Sequence, residues 1–440
     1  MVYWRLLLLA LAAGQDANFF LISDLHLDIV YDPGYASSDL CHSVGIVGKN
    51  HTIVPASDSQ PLGRFGCDSP LALVSSALSQ MQAINPSPDF ILVTGDLIGH
   101  SIYYLLQTNG VYNTTYTSGL VRSTFQLVAA QFQAYFPNTQ VLFALGNNDG
   151  YGDYQLPNSE NALELDKLLY ELWQPLNADI PESFMESGYY ACNITATGQR
   201  ILVLSTNYFS ISVKGAQSDA MDQLKWLRSE LIYAQNNHLR VLISMHIPPG
   251  PGMYNANSYD WHEPYIDLFE KLIYAYGHVI DFIFAAHQHQ SGFQLIGETG
   301  LAVVIHPSIS PIFNNNPGFR HYQVSALKMD YTDYFLDLFA PNPTWAPEVV
   351  FSVFTGLQDF DYISFYHQLL SSETLLFQYL VASRGLHRDL GVFISEDYIW
   401  KQEFGLLDEA FMRKVALCTY KYFSNNLFDL CKMGLLPVLL

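Results

Sequence analysis

Basic residues are scarce in this chain: 20 lysines and arginines stand against 41 aspartates and glutamates over 440 residues, a formal net charge of −21. That balance argues against a nucleic-acid scaffold or an anionic membrane as the main partner, because clustered Lys and Arg hold both. Anionic small molecules stay open, since bound cations would reverse the local field. Long apolar runs are missing too. The two candidates, residues 6–13 and 434–440, fall well short of the roughly 20 residues that span a bilayer, so no transmembrane anchor is expected. There is no C-x-x-C pair, which removes the common thiolate zinc sites. Internal repeats and low-complexity segments are also absent. What remains is a globular composition, half hydrophobic, long enough for a large core with an appendage.

The N-terminus reads as a secretory signal covering residues 1–14. Arg5 supplies the charge, 6–13 the short apolar core, and Ala12-Ala13-Gly14 the small residues for cleavage. Three sequons, at Asn50, Asn113 and Asn193, agree with a secreted or lumenal glycoprotein. Of the five cysteines, Cys41 and Cys67 bracket one loop and Cys418 and Cys431 a C-terminal turn. These two local pairs are the expected disulfides, and Cys192 is left as a buried thiol.

Apolar runs at 18–23, 89–94, 140–145, 240–245 and 280–286 read as buried strands. Further strands are expected at 294–297, 301–305 and 323–329, and helices at 70–84, 120–135, 162–173, 219–235 and 264–276. The alternation indicates an α/β core. Beyond Pro341 and Pro343, aromatic and leucine residues recur at helical spacing, which implies a helical subdomain over 341–440.

The chemistry sits just past the five strands. Asp24-Leu25-His26, Gly95-Asp96, Gly146-Asn147-Asn148-Asp149, His246 and His287-Gln288-His289 follow them in order. Open α/β sheets place their sites at these carboxyl ends. Seven N/O ligands without cysteine suit zinc, iron or manganese. Two such ions would clamp a phosphoryl group and activate a bridging water for in-line attack, so no protein nucleophile is needed.

This order resembles the calcineurin-like metallophosphoesterases, with their D-x-H, G-D, G-N-H-D/E, H and G-H-x-H motifs. The resemblance implies a β-sandwich flanked by helices over 17–340. It also implies two divalent ions, zinc by compartment: Asp24, His26 and His289 on one, Asn147, His246 and His287 on the other, and Asp96 bridging. More of the chain is similar to the acid sphingomyelinase-like phosphodiesterases, through Asp24-Leu25-His26-Leu27-Asp28, Arg64-Phe65-Gly66-Cys67-Asp68-Ser69-Pro70, His246-Ile247-Pro248-Pro249-Gly250 and Asn316-Pro317-Gly318-Phe319-Arg320. Only a few residues separate the signal from the first strand, leaving no room for a saposin domain. A monomer acting on a small phosphorylated substrate, nucleotide or phosphodiester headgroup, is therefore expected.

Two departures stand out. The family's G-H-x-H is Ala286-His287-Gln288-His289 here, and its G-N-H histidine is Asn148. An amide donates a hydrogen bond but delivers no proton. His100, four residues after Asp96, matches a second active-site histidine of the branch and is the expected general acid. The alternatives are an impaired member that binds metal and ligand, a natural histidine exchanged for asparagine, and a true sphingomyelin phosphodiesterase. Asp28 and Asp149 read as braces for the ligand loops. His306 reads as structural, with a substrate-side role as the alternative. Arg320, expected in a Pro/Gly turn with Asn316, reads as an ion-pair residue before a phosphate contact. Tyr103, Tyr104 and Tyr112 read as packing, with base stacking second.

Overall fold

A computed structural model describes residues 16–35, 41, 61–100, 102, 114–156, 163–213, 217–252, 259–325, 329–357, 359–386 and 409–436. The segment expected to be a signal, residues 1–14, the sequons at Asn50 and Asn113, and Tyr103, Tyr104 and Tyr112 lie outside these. Two six-stranded sheets form the core. The strands are β1 Ala17–Ile22, β2 Ile91–Val93, β3 Val141–Phe143, β4 Tyr190–Asn193, β5 Arg200–Val203, β6 Val241–Ser244, β7 Ile280–Ala285, β8 Gly292–Leu295, β9 Ala302–Ile305, β10 Gly318–Val324, β11 Met329–Leu336 and β12 Trp345–Val350. The first sheet runs β12-β11-β10-β1-β2-β3 and the second β4-β5-β6-β7-β9-β8.

Strands β1, β2 and β3 are mutually parallel, as are β5, β6, β7 and β9. Their continuous apolar sequences follow from burial on both faces. Rings close the gap between the sheets: Phe19 of β1 lies 6.0 Å from Phe284 of β7, and Phe284 lies 5.3 Å from Tyr322 of β10. Helices cover the outer faces: α1 Leu71–Ile84, α2 Thr114–Tyr135, α3 Leu163–Trp173, α4 Gln217–Asn236 and α5 Glu263–Tyr276. Each buries one stripe, as Leu224, Leu227 and Leu231 do in α4.

Two sequence expectations need correction. The strand expected at 323–329 is the junction between β10 and β11, a hairpin pairing Gly318 with Phe335 through Val324 with Met329. Its polar, alternating sequence hid two strands inside one window. The expected break at residue 340 also falls within a hairpin, because β12 pairs with β11 and extends the first sheet to Val350. Prolines are tolerated there because β12 is an edge strand. Arg320 lies in β10 and not in a turn. It is fully buried and forms a bidentate pair with Asp333 of β11 at 2.5 and 2.8 Å, the ion pair expected of it.

Helices α6 Tyr362–Ser371, α7 Glu373–Ala382, α8 Glu409–Lys421 and α9 Asn425–Lys432 make the C-terminal piece. Asp361, Ser372 and Ser424 cap α6, α7 and α9 through their side chains. Tyr420 stacks on Phe293 of β8 at 4.9 Å, and Tyr362, Phe365 and Tyr379 complete that contact. Cys41–Cys67 and Cys418–Cys431 are disulfides, and Cys192 is a buried thiol. Among the described residues no helix is long and apolar enough to cross a membrane.

Candidate metal centre

The two sheets bring the carboxyl ends of β1, β2, β3, β6 and β7 to one rim, and the loops leaving them hold all seven expected ligands. Five of the seven take left-handed backbone conformations: Asp24, His26, Asp96, His287 and His289, with φ of 47°, 37°, 54°, 70° and 53°. Such angles cost about 1–3 kcal/mol each in a residue with a side chain. Cross-loop hydrogen bonds tie the first two of these loops together: Asp24 N–H donates to Gly95 O, His26 N–H to Asp96 O and Leu27 N–H to Leu97 O. Asp149 braces the same junction, its carboxylate accepting from the backbone N–H groups of Gly146, Asp96 and Leu97 at 2.7–2.9 Å. Asp28 braces its own loop, accepting from Val30 N–H.

The motif glycines are explained by close approach. A Cβ on Gly146 would lie 2.1 Å from Asp96 Oδ1, and one on Gly95 would lie 2.7 Å from Gly146 N. Ala286, standing where the motif has glycine, has no positive φ, so its side chain imposes no left-handed backbone strain.

Inside this frame the donors converge. His26 Nδ1 donates to Ile98 O and His246 Nδ1 to Thr94 O, both at 2.8 Å, which turns both Nε2 lone pairs inward. His26 Nε2 lies 3.2 Å from His289 Nε2, and Asp24 Oδ1 lies 3.9 and 3.5 Å from them. On the other side His246 Nε2 lies 3.1 Å from Asn147 Oδ1. The His246 and His287 rings are 5.1 Å apart. Asp96 Oδ2 sits between the halves, 3.4 Å from His26 Nε2 and 3.2 Å from His246 Nε2.

Electrostatics fit a cation site. Asp24 Oδ1 and His289 Nδ1 are buried without a hydrogen-bond partner. Burial raises Asp24 to about 7, with His246 opposing and Asp96 reinforcing. Burial lowers His26 to about 4 and His287 to about 3, and pushes His289 well down. These three imidazoles are neutral, as metal ligands must be. Against burial, Asp96 holds His246 up at about 9. Against burial in turn, His246 and His26 hold Asp96 well below the carboxylate range. The donor set of buried carboxylates, an amide oxygen, three neutral imidazoles and His246, whose Nε2 proton a bound cation would displace, therefore suits divalent cations.

His100 stacks on His26 with ring centroids 3.8 Å apart. Its Nδ1 lies 3.0 Å from Asp68 Oδ1, and its backbone N–H donates to Asp68 Oδ2 at 2.6 Å. Burial lowers its pKa and Asp68 raises it, with a net rise. Asn148 points inward as well: its backbone N–H and Nδ2 donate to the two oxygens of Asp96 at 2.8 Å each. His306 does not face the cluster. It is buried between Ala285 O and the Tyr322 hydroxyl.

A family model for the calcineurin-like phosphoesterases matches residues 17–291. The chain belongs to that family. Mouse acid sphingomyelinase-like phosphodiesterase 3b is 29% identical over 77% of this chain and 75% of its own length. Human cyclic GMP-AMP phosphodiesterase SMPDL3A is 28% identical over 81% of this chain and 78% of its own. Dictyostelium discoideum sphingomyelinase phosphodiesterase C is 26% identical over 83% and 84%.

Three contributors escaped the sequence reading. Asp68 lies within the Arg64–Pro70 stretch, but nothing local links it to His100, 32 residues away. Asp260, which accepts from Gln288 between His287 and His289, is 28 residues from its partner. Phe313 lies edge-on to His100 and His289, at 5.5 and 4.6 Å between centroids, and a lone aromatic in a polar loop gave no signal.

Proposed function

We propose that this chain hydrolyses phosphoric diester or nucleotide phosphate bonds at a two-metal site. Asp24, His26 and His289 hold one ion and Asn147, His246 and His287 the other, with Asp96 shared. The position of Asp96 Oδ2, within 3.4 Å of ligand nitrogens from both halves, carries the reading. Two divalent cations supply charge neutralisation for the phosphoryl oxygens and a lowered pKa for water. Zinc is the proposed ion, since the donors are borderline nitrogen and hard oxygen.

The chain's own residues do the rest. His100, kept protonated by Asp68, delivers its proton from Nε2 to the leaving oxygen. Asn148 contributes a hydrogen bond and fixes Asp96. The phosphodiesterase names of the relatives support a small phosphorylated substrate, and a nucleotide phosphate is preferred over a sphingomyelin headgroup. The two disulfides support an oxidising, secreted or lumenal setting; the reading includes a monomer glycosylated at Asn193, which is exposed.

Asn148 also favours a second reading, in which metals and ligand bind without efficient turnover. Hydrolysis of bis-(p-nitrophenyl) phosphate and ATP, with metal content assayed, separates the two. Metal-dependent turnover lost in His100→Ala supports the working enzyme. Two bound metals with no turnover, and a rise of roughly 10²–10⁴-fold in Asn148→His, supports the impaired one. Protein that binds neither metal nor substrate sinks both.

A further inference from the structure

Phe313 is 42% exposed at the rim of the metal cluster. Its ring plane stands 76° from that of His289 and 82° from that of His100. An exposed apolar side chain has no folding reason to be held rigidly, yet this loop is pinned throughout. Ile309 N–H donates to Ser23 O and Ser310 N–H to Asp24 O, tying the loop to the first ligand segment. The Ser310 hydroxyl donates to Asp68 at 2.9 Å, which ties it to the partner of His100. Gly66 N–H and Asn314 N–H both donate to Pro311 O, and Asn316 N–H donates to Arg384 O. Asn314 takes φ 62°, the tight bend that presents its neighbour outward. The aromatic surface is thereby preorganised beside the group proposed to protonate the leaving oxygen.

We propose that Phe313 is a specificity-determining residue, the platform on which a flat aromatic part of the substrate stacks. A nucleobase or aryl ester would lie beside His100 while its phosphate meets the metals. The inference rests on the phosphoesterase reading of the site and narrows it to substrates with an aromatic moiety. A ring offers a sequence-tolerant π-face to any base and a preset surface at low entropy cost.

The test measures binding of inorganic phosphate, butyl phosphate and AMP to metal-loaded protein, with Phe313→Ala, Phe313→Leu and Phe313→Trp alongside the parent. AMP affinity is expected to fall about 5- to 150-fold in the Ala variant, the range of one lost base–aromatic stack. It should fall comparably in Leu and recover in Trp, while phosphate affinity stays unchanged in all. Undiminished AMP binding in Phe313→Ala overturns the proposal, and so does an equal loss for butyl phosphate, which would make Phe313 a general apolar wall. A parent protein that fails to bind inorganic phosphate would instead overturn the phosphoesterase reading, and this one with it.

Discussion

At the scale of single residues, the site depends on pairs that set protonation as much as on the ligands. Asp68 is the clearest case. It bonds the ring and the backbone of His100 and accepts from Ser310, and its own pKa falls to about 2, burial being outweighed by His100. The charge of Asp68 raises His100 above its ordinary value, so the acid form persists to higher pH. A general acid must be protonated, so with His100 as the proposed acid activity is expected to fall as pH rises through its pKa. Asp68→Asn removes the raising charge, so that fall moves to lower pH. Rate at neutral pH drops by at most roughly 10²–10⁴-fold, the usual contribution of a general acid. A pH–rate profile of kcat/KM checks this. An unshifted alkaline limb in a folded Asp68→Asn variant would mean that His100 is not the titrating acid.

At the scale of elements, the loops after β2 and β3 meet so closely that side chains are excluded from their crossing. Gly146→Ala would drive a methyl into Asp96. Overpacking of this kind costs about 1–3 kcal/mol, and here the displaced group is the proposed shared ligand. The variant is expected to lose bound metal, read by metal stoichiometry, before it loses its fold, read by its melting temperature. Full metal content in Gly146→Ala would refute the crossing as the determinant. Much of this element layer was legible in the sequence. Each ligand follows a strand whose apolar run marks it, because parallel strands buried on both faces cannot hide their hydrophobicity. The β10–β11 hairpin was not legible. Its strands carry His321, Gln323, Asp330 and Asp333, whose polarity imitates a loop until the buried Arg320–Asp333 pair is seen. The left-handed angles were equally invisible, since the enrichment of Asp and His in that region does not say which of them adopts it, and the bonds that fix Asp24 and His26 cross between loops. Phe313 and Asp68 act on residues far away in sequence, so no motif window contains the contact.

At the scale of the whole molecule, the scarcity of bases meets several buried carboxylic acids that titrate high. Burial raises Asp166 in α3 to about 8, and Asp166 Oδ2 has no hydrogen-bond partner. Burial also raises Asp260 to about 8, with His246 and Gln288 opposing. An unfolded aspartate titrates near 3.9. Between these values the folded chain holds a proton that the unfolded chain has lost, so stability declines as pH rises from about 4 towards 8. Buried neutral histidines act in the opposite sense. His306, pushed well down by burial and by Arg320, must charge on unfolding below its ordinary pKa, and stability falls again as pH drops. Net stability is thus greatest on the acid side of neutrality, where the large negative charge also repels itself least. The Asp166 contribution is isolated by comparing Asp166→Asn with the parent at pH 5 and pH 8. The amide cannot ionise, so the variant's advantage in unfolding free energy should grow between pH 5 and pH 8, by an amount on the order of 1–4 kcal/mol. An advantage that is the same at both values would show that Asp166 is ionised in the folded protein, and the stability maximum would then have to come from the histidines and surface charge alone.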